Sequence, residues 1–141
     1  MIQQHDQYEI DDARARFDMP SVRQWLATTY WWGDTATPPA VGRAFDNSRL
    51  IVGAYYNGQQ VGCCRVVTDL ARFAWLADVF VVPEHRKRGL AKAMTRYILH
   101  HPECKTITRF LLITRDAHDI YKASGFEPLP DPQRWLQFRP R

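Results

Sequence analysis

The chain has 141 residues, of which 45% are hydrophobic and 24% are charged. This length and composition are typical of one soluble globular domain, so we expect a single domain over residues 1–141. Its formal net charge of +4 suits an anionic ligand, but it is too small to indicate nucleic-acid binding by itself.

Two further classes are excluded by the sequence. No apolar run approaches the roughly 20 residues that span a bilayer, and the polar first dozen residues lack the apolar core of a signal peptide. We therefore expect a cytoplasmic protein with no membrane partner.

Cys63 and Cys64 are adjacent in a strand-like run and lack metal-ligand spacing, so we expect reduced, core-filling cysteines and no metal.

The first third of the chain predicts two helices. Residues 8–17 are polar and allow at most one short edge strand. Asp18 is an N-cap candidate, with Pro20 in the first turn of a helix that should end near Gly33. The aromatic cluster at residues 30–32 leads into a proline loop, and a second, short helix is expected over residues 39–46.

The middle of the chain predicts an antiparallel meander. Leu50–Tyr56 is a strand, and Asn57-Gly58 is a strong hairpin signal that leads into a partner strand over residues 60–68. A third strand should cover residues 73–82. Strands with such short connections pair antiparallel.

The last part of the chain predicts a parallel pair. A helix that begins at Gly89 and ends at Pro102 separates the third strand from another, over residues 106–114. A strand, a helix and a second strand form a βαβ unit. A short helix over residues 117–124 follows, and late strands are expected at 126–128 and 135–138. The fold class is therefore α+β, with a mixed sheet that is antiparallel in its N-terminal half and has a parallel pair at its working centre.

One stretch gathers positive charge at a helix start. A buried strand ends at Pro83, a basic turn carries Arg86, Lys87 and Arg88, and the helix begins after Gly89. Free backbone N–H groups, the positive end of the helix dipole and fixed cations therefore meet at one point. Such a site binds phosphate.

Two motifs resemble the GNAT superfamily of acetyl-CoA-dependent N-acetyltransferases, and the chain is similar to its small, stand-alone bacterial members. The first motif is V-V-P-E-H-R-K-R-G-L-A at residues 81–91, which matches the family loop Q/R-x-x-G-x-G/A after a strand ending in V-x-P. The second is T-R-D-A-H-D-I-Y-K-A-S-G-F at residues 114–126, which matches N-x-x-A-x-x-x-Y-x-x-x-G-F. Thr114 stands where the family usually has Asn and has a shorter reach.

The resemblance implies that acetyl-CoA is the acetyl donor. The loop would hold its pyrophosphate, and the pantetheine arm would insert where the strand before the loop diverges from its parallel neighbour. The cofactor-binding residues implied in this way are Phe80, Val81, Arg86, Lys87, Arg88, Gly89, Leu90, Ala91 and Thr114. The alternative for the loop is a solvated basic turn or a nucleic-acid patch.

Two residues are the leading catalytic candidates. Tyr121 matches the family tyrosine near the sulfur and is predicted to act as the proton donor to the thiolate, although it could simply pack on the sheet. Asp78 is the acidic residue of an otherwise apolar strand and is predicted to be the base; its alternative is a structural carboxylate bonded to backbone or to an arginine. Asp69 and His118 are second-line bases.

The resemblance implies that the acceptor-binding segment lies among the N-terminal aromatics, with Trp31 and Trp32 as the substrate-binding candidates; the alternative is that two of the three aromatic residues belong to the core. The sequence therefore predicts direct transfer of an acetyl group to an amine in a ternary complex. Two alternatives remain: a catalytically silent acyl-CoA sensor, and an acetyltransferase that acts on a charged tRNA or a protein amine. A homodimer is left open, and a nucleic-acid partner is not expected.

Overall fold

A six-stranded mixed sheet runs through the computed structural model, which describes residues 1–140. Its strands lie in the order in which they occur along the chain, and all neighbours are antiparallel except the last pair, which is parallel. The predicted mixed sheet is therefore confirmed. The strands are β1 (Gln3–His5), β2 (Tyr8–Asp11), β3 (Leu50–Tyr56), β4 (Gln59–Thr68), β5 (Ala74–Val81) and β6 (Phe110–Leu111).

Four helices flank the sheet on both faces. α1 (Met19–Ala27) and α2 (Pro38–Asp46) pack on one face, and α3 (Leu90–Leu99) and the short α4 (His118–Lys122) lie on the other. The first two helices begin with a side-chain cap and a proline in the first turn. Asp18 accepts from the N–H of Ser21 at 3.2 Å and Thr37 from that of Ala40 at 3.3 Å, as their residue types favour.

The sheet separates two apolar clusters, and adjacent cysteines belong to different ones. Cys63 packs with α1 and α2, whereas Cys64 packs with α3, because neighbouring residues of a strand point to opposite faces. All three cysteines are buried and free, as expected. Burial raises the pKa of the Cys63 and Cys64 thiols, so both stay protonated at neutral pH.

A bulge interrupts the pairing of β4 with β5. Arg65 lies opposite Ala77 and Cys63 lies opposite Phe80, so β5 carries one residue more than its partner over this interval. Asp78 lies within the bulge and has a φ of 55°, in the left-handed region that aspartate tolerates better than most residues. The bulge directs the Asp78 side chain toward the face that α1 and α2 cover.

The parallel pair is short, and the two strands separate early. β5 pairs with β6 only at Ala74 and Trp75, which lie opposite Phe110 and Leu111. Beyond Trp75 the rest of β5 has no neighbour on that side, so one edge of the strand is open. The separation is also why the strand predicted over residues 106–114 shrinks to two residues.

Three further expectations were wrong. α1 ends at Ala27 rather than near Gly33, because the hydroxyls of Thr28 and Thr29 donate to carbonyl oxygens of the last helical turn. The short strand expected within residues 8–17 forms as β2, but it is not an edge strand, because β1 pairs with its other side. The late strands at 126–128 and 135–138 do not form; prolines remove ladder donors nearby, and Trp135 lies against Arg109 instead.

Among residues 1–140, none of the helices has both the length and the hydrophobicity that a membrane-spanning segment requires.

The turn between β4 and β5 generates a prediction on acid stability. The Asp69 carboxylate accepts the backbone N–H groups of Ala71, Arg72 and Phe73 at 2.8–3.1 Å, and these bonds lower its pKa. A carboxyl whose pKa is lowered by folding stabilises the protein above its unfolded pKa, and this contribution is lost as the pH falls through the folded pKa. We expect the wild-type free energy of unfolding to fall more steeply on acidification than that of Asp69→Asn. Denaturant titrations at a series of acidic pH values test this, and parallel curves would contradict it.

Candidate active site

A cleft of about 800 Å³ opens where β5 and β6 separate. Its walls come from the end of β5, the basic turn with the start of α3, the segment after α1 and the segment around the start of α4. The lining residues are Thr28, Thr29, Tyr30, Trp31, Val79, Phe80, Val81, His85, Arg86, Lys87, Gly89, Leu90, Ala91, Lys92, Arg115, Asp116, Ala117, Ile120 and Tyr121. Its volume is typical of a site for a small molecule or cofactor.

The basic turn presents backbone donors to this cleft. Gly89 has a φ of 77°, which only glycine adopts without cost, and it occupies the N-cap position of α3. The N–H groups from Lys87 to Lys92 donate to no backbone acceptor within residues 1–140. Unpaired N–H groups at the positive end of a helix dipole are suited to the oxygens of a phosphate.

The N-terminal hairpin, formed by β1 and β2, contacts the basic turn through two side chains. Nε2 of His5 lies 3.0 Å from the carbonyl oxygen of Arg88, and the Tyr8 hydroxyl lies 2.8 Å from Nδ1 of His85. A Cβ at Gly89 would meet the His5 ring at 3.4 Å. These contacts join residues about 80 positions apart, so no local sequence pattern could have indicated them.

Most of the predicted cofactor-binding residues lie together. Arg86 also donates from Nε to the carbonyl oxygen of Val81 at 2.8 Å, which ties the turn to the end of β5. Arg88 and Thr114 are the exceptions and do not line the cleft; the Thr114 hydroxyl instead accepts the N–H of Ala117 at 3.0 Å. The seven predicted residues that do line it are Phe80, Val81, Arg86, Lys87, Gly89, Leu90 and Ala91.

Tyr121 lies on α4 and lines the cleft, although only 9% of the residue is exposed. It packs edge-to-face on Phe126, the phenylalanine of the G-F pair that ends the second motif. Burial raises its pKa to about 12, with a smaller contribution from Cys64. The phenol therefore holds its proton at neutral pH, as a proton donor must.

Asp78 is held by three side-chain donors. Oδ1 accepts the indole N–H groups of Trp31 at 2.7 Å and Trp32 at 2.8 Å, and Oδ2 accepts Nε of Arg65 at 2.6 Å. The Asp78 and Arg65 side chains are 2% and 15% exposed. Asp78 does not line the cleft, so these contacts favour the structural alternative for its carboxylate over a direct role as base.

The second-line bases lie elsewhere. Asp69 caps a turn at the opposite end of β5, and His118 lines a separate groove beside β6. The structure instead brings His85 and Asp116 to the cleft, which the sequence reasoning missed. Asp116 lies within the second motif, where its position two residues after Thr114 was the available signal.

The aromatic cluster divides between cleft and core. Tyr30 and Trp31 line the cleft and are 54% and 47% exposed, whereas Trp32 packs against the cluster beneath α1 and α2. The two exposed rings meet edge-to-face, with centroids 5.2 Å apart. Trp31 therefore lies at the cleft, as predicted for a substrate-binding residue, whereas Trp32 lies in the core and donates to the same Asp78 oxygen as Trp31.

Comparisons with known proteins agree with this architecture. The sequence model of the acetyltransferase (GNAT) family matches residues 14–126. The chain belongs to this family, whose members use acetyl-CoA as the acetyl donor. No curated protein sequence matches the chain significantly.

Solved structures extend the comparison. A GNAT-family protein from Xanthomonas campestris pv. campestris is 36% identical, with a TM-score of 0.87, and the match covers 94% of this chain and 92% of that one. A Clostridium acetobutylicum structure with acetyl-CoA is 16% identical, with a TM-score of 0.69 and coverage of 99% and 96%. A Deinococcus radiodurans R1 structure is 19% identical, with a TM-score of 0.72 and coverage of 100% and 94%. The last two share the fold.

No three His, Cys, Asp or Glu side chains in the described part of the chain are grouped closely enough to hold a metal ion.

The Asp78 cluster generates a stability prediction. Replacing Arg65 by Met should lower the free energy of unfolding by about 3–5 kcal/mol, because it leaves a buried carboxylate without its cation. Asp78→Asn should also destabilise the protein, while it keeps an oxygen for the two indoles and the tolerance of a left-handed backbone. Denaturant unfolding measures both.

The same variants separate the two roles of Asp78. If the carboxylate is structural, Arg65→Met and Asp78→Asn impair activity to a similar degree. Selective loss in Asp78→Asn, with a changed pH–rate profile, would instead identify the base.

Proposed function

We propose that the protein is an N-acetyltransferase that transfers an acetyl group from acetyl-CoA directly to an amine. The observation that carries the proposal is one cleft lined both by the Gly89 turn, with its unpaired N–H groups, and by Tyr121, whose phenol keeps its proton. The first feature suits a phosphorylated donor and the second suits a departing thiolate.

The residues of the cleft fit the donor in three respects. The Gly89 turn offers N–H groups and the helix dipole to a pyrophosphate, and Lys87 and Lys92 add charge. The unpaired edge of β5 near Phe80 and Val81 can bond the amides of the pantetheine arm as an added strand would. The cleft is also large enough for an extended ligand.

Acetyl-CoA supplies the activated acetyl group, and the chain supplies position and a proton. Tyr121 lines the cleft and keeps its phenol proton, which it donates to the leaving sulfur. The attacking amine must lose a proton. Asp78 is the base predicted from the sequence, but it lies behind Trp31 and would need a relay. We propose that it positions Trp31 and that solvent in the open cleft takes the proton.

Direct transfer is favoured over a covalent acyl-enzyme. Cys63 and Cys64 are fully buried, their raised pKa values keep them as thiols, and neither lines the cleft. A thiol that stays protonated is a poor nucleophile. Ping-pong kinetics would contradict this part of the proposal.

A first prediction tests donor binding. Ala91→Glu places a carboxylate in the first turn of α3, where acidic residues stabilise a helix, yet directs it into the cleft. We expect folding to be retained and the affinity for acetyl-CoA to fall at least tenfold in calorimetric titrations. Arg96→Gln is the matched control, because it changes the net charge equally on an exposed part of the same helix. Equal affinities in both variants would contradict the assignment.

A second prediction tests the proton donor. Tyr121→Phe should lower kcat by roughly 10²- to 10⁴-fold and leave acetyl-CoA binding unchanged. A donor with a pKa of about 12 is lost only as the pH rises toward that value, so the wild-type rate should not decline through loss of this proton in the neutral range. Steady-state kinetics across pH measure both.

Tyr55→Phe is the control for this variant. Burial also raises the pKa of Tyr55 to about 12, but its hydroxyl is buried without a partner and lies outside the cleft. It should keep full activity. A Tyr121→Phe enzyme with unchanged turnover would remove the acid role, and acetyl-CoA binding without transfer to any amine would indicate a sensor.

A further inference from the structure

Arg115 bridges the mouth of the cleft. It belongs to the segment between β6 and α4, and its Cζ lies 3.7 Å from the ring centroid of Tyr30, which follows α1. The contact therefore joins segments from opposite faces of the sheet. Both residues are exposed and line the cleft.

The stacked guanidinium keeps its donors available. Stacking on an aromatic face uses the flat surface of the group, whereas its N–H donors lie in the plane at its edge. No carboxylate within residues 1–140 forms an ion pair with Arg115. A planar, partly immobilised guanidinium without an anion is suited to bidentate binding of a carboxylate.

A chain of contacts fixes its position. The buried carboxylate of Asp78 orients the Trp31 indole, Trp31 meets Tyr30 edge-to-face, and Tyr30 lies against Arg115. Through these contacts the guanidinium is connected to a buried carboxylate of the sheet, which favours one position of its side chain. Trp31 adds an apolar wall beside it.

The charged residues that line the cleft also indicate an anionic ligand. Its lining carries four permanent cations, Arg86, Lys87, Lys92 and Arg115, against the single carboxylate of Asp116. The first three lie on the basic turn and the start of α3, where they suit the phosphates of the donor. Arg115 lies on a different segment, between β6 and α4, and is therefore available to bind the acceptor.

We propose that the acceptor is an amine that also carries a carboxylate, and that Arg115 binds this carboxylate while Tyr30 and Trp31 contact the apolar part of the molecule. This inference rests on the proposed function and names its class of substrate. Amino acids with a free carboxylate are the simplest members of that class. Arg115 holds the acceptor at one end, which leaves the amine free to approach the acetyl group near Tyr121.

The test compares acids with their own amides. Phenylalanine, leucine and alanine, each paired with its carboxamide, are titrated calorimetrically into the protein saturated with coenzyme A. We expect at least one acid to bind more tightly than its amide by roughly 10- to 100-fold, the range of a charged hydrogen-bonded contact. Arg115→Gln should abolish this preference, and Arg115→Lys should retain a smaller one.

Arg109→Gln is the matched control. Arg109 is likewise exposed and lies 5.0 Å from the centroid of an aromatic ring, that of Trp135, but it does not line the cleft. This variant should keep the wild-type preference. The proposal is overturned if no acid is preferred over its amide, or if Arg115→Gln retains the preference.

The proposed function and this inference can fail independently, because the preference for acids is measured as binding and needs no turnover. A wild-type protein that prefers the acids through Arg115 but acetylates no amine supports the carboxylate site at Arg115 and contradicts the proposed function. Acetylation of amines without any binding preference for acids would support the proposed function and contradict this inference.

Discussion

The bulge at Asp78 is the constraint on which the working half of the molecule depends. An extra residue in β5 turns a carboxylate inward, where water cannot stabilise it. The cost is offset because Arg65 and two indole N–H groups satisfy the charge. The same bonds tie the connection between α1 and α2 to the sheet, so a single buried anion fixes both the strand and the aromatic wall beside it.

A second constraint on the cleft is the early end of the pairing between β5 and β6. A parallel neighbour along the whole strand would use the backbone groups that a ligand needs, but the pairing ends at Trp75. A short turn at Pro83–His85 separates this open edge from the turn at Gly89, whose N–H groups are also unpaired. The cleft therefore has two separate groups of free backbone donors, one on the strand and one at the helix start, in addition to the cationic side chains that line it.

Local patterns predicted the elements and the loop, because periodicity, caps and turn residues act over a few positions. Leu50–Tyr56 was predicted to the residue, since the Asn57-Gly58 turn fixes the end of the strand. What the sequence could not supply were contacts over long separations, such as that of His5 with the Arg88 carbonyl. The environment of Asp78 is a second example: an acidic residue in an apolar strand indicated a partner such as an arginine, but the two indole donors were not predictable.

Two different kinds of group form the cleft, namely backbone groups and exposed side chains. The proposed donor side is built from backbone groups and the special conformation of Gly89, which few substitutions can preserve. The proposed acceptor side is built from exposed side chains on two connecting segments, at Tyr30 and Arg115, which the sheet does not constrain. Side chains there can change without disturbing the donor loop. A substrate preference that rests on Arg115 is therefore separable from the chemistry, and it belongs to this chain rather than to its fold.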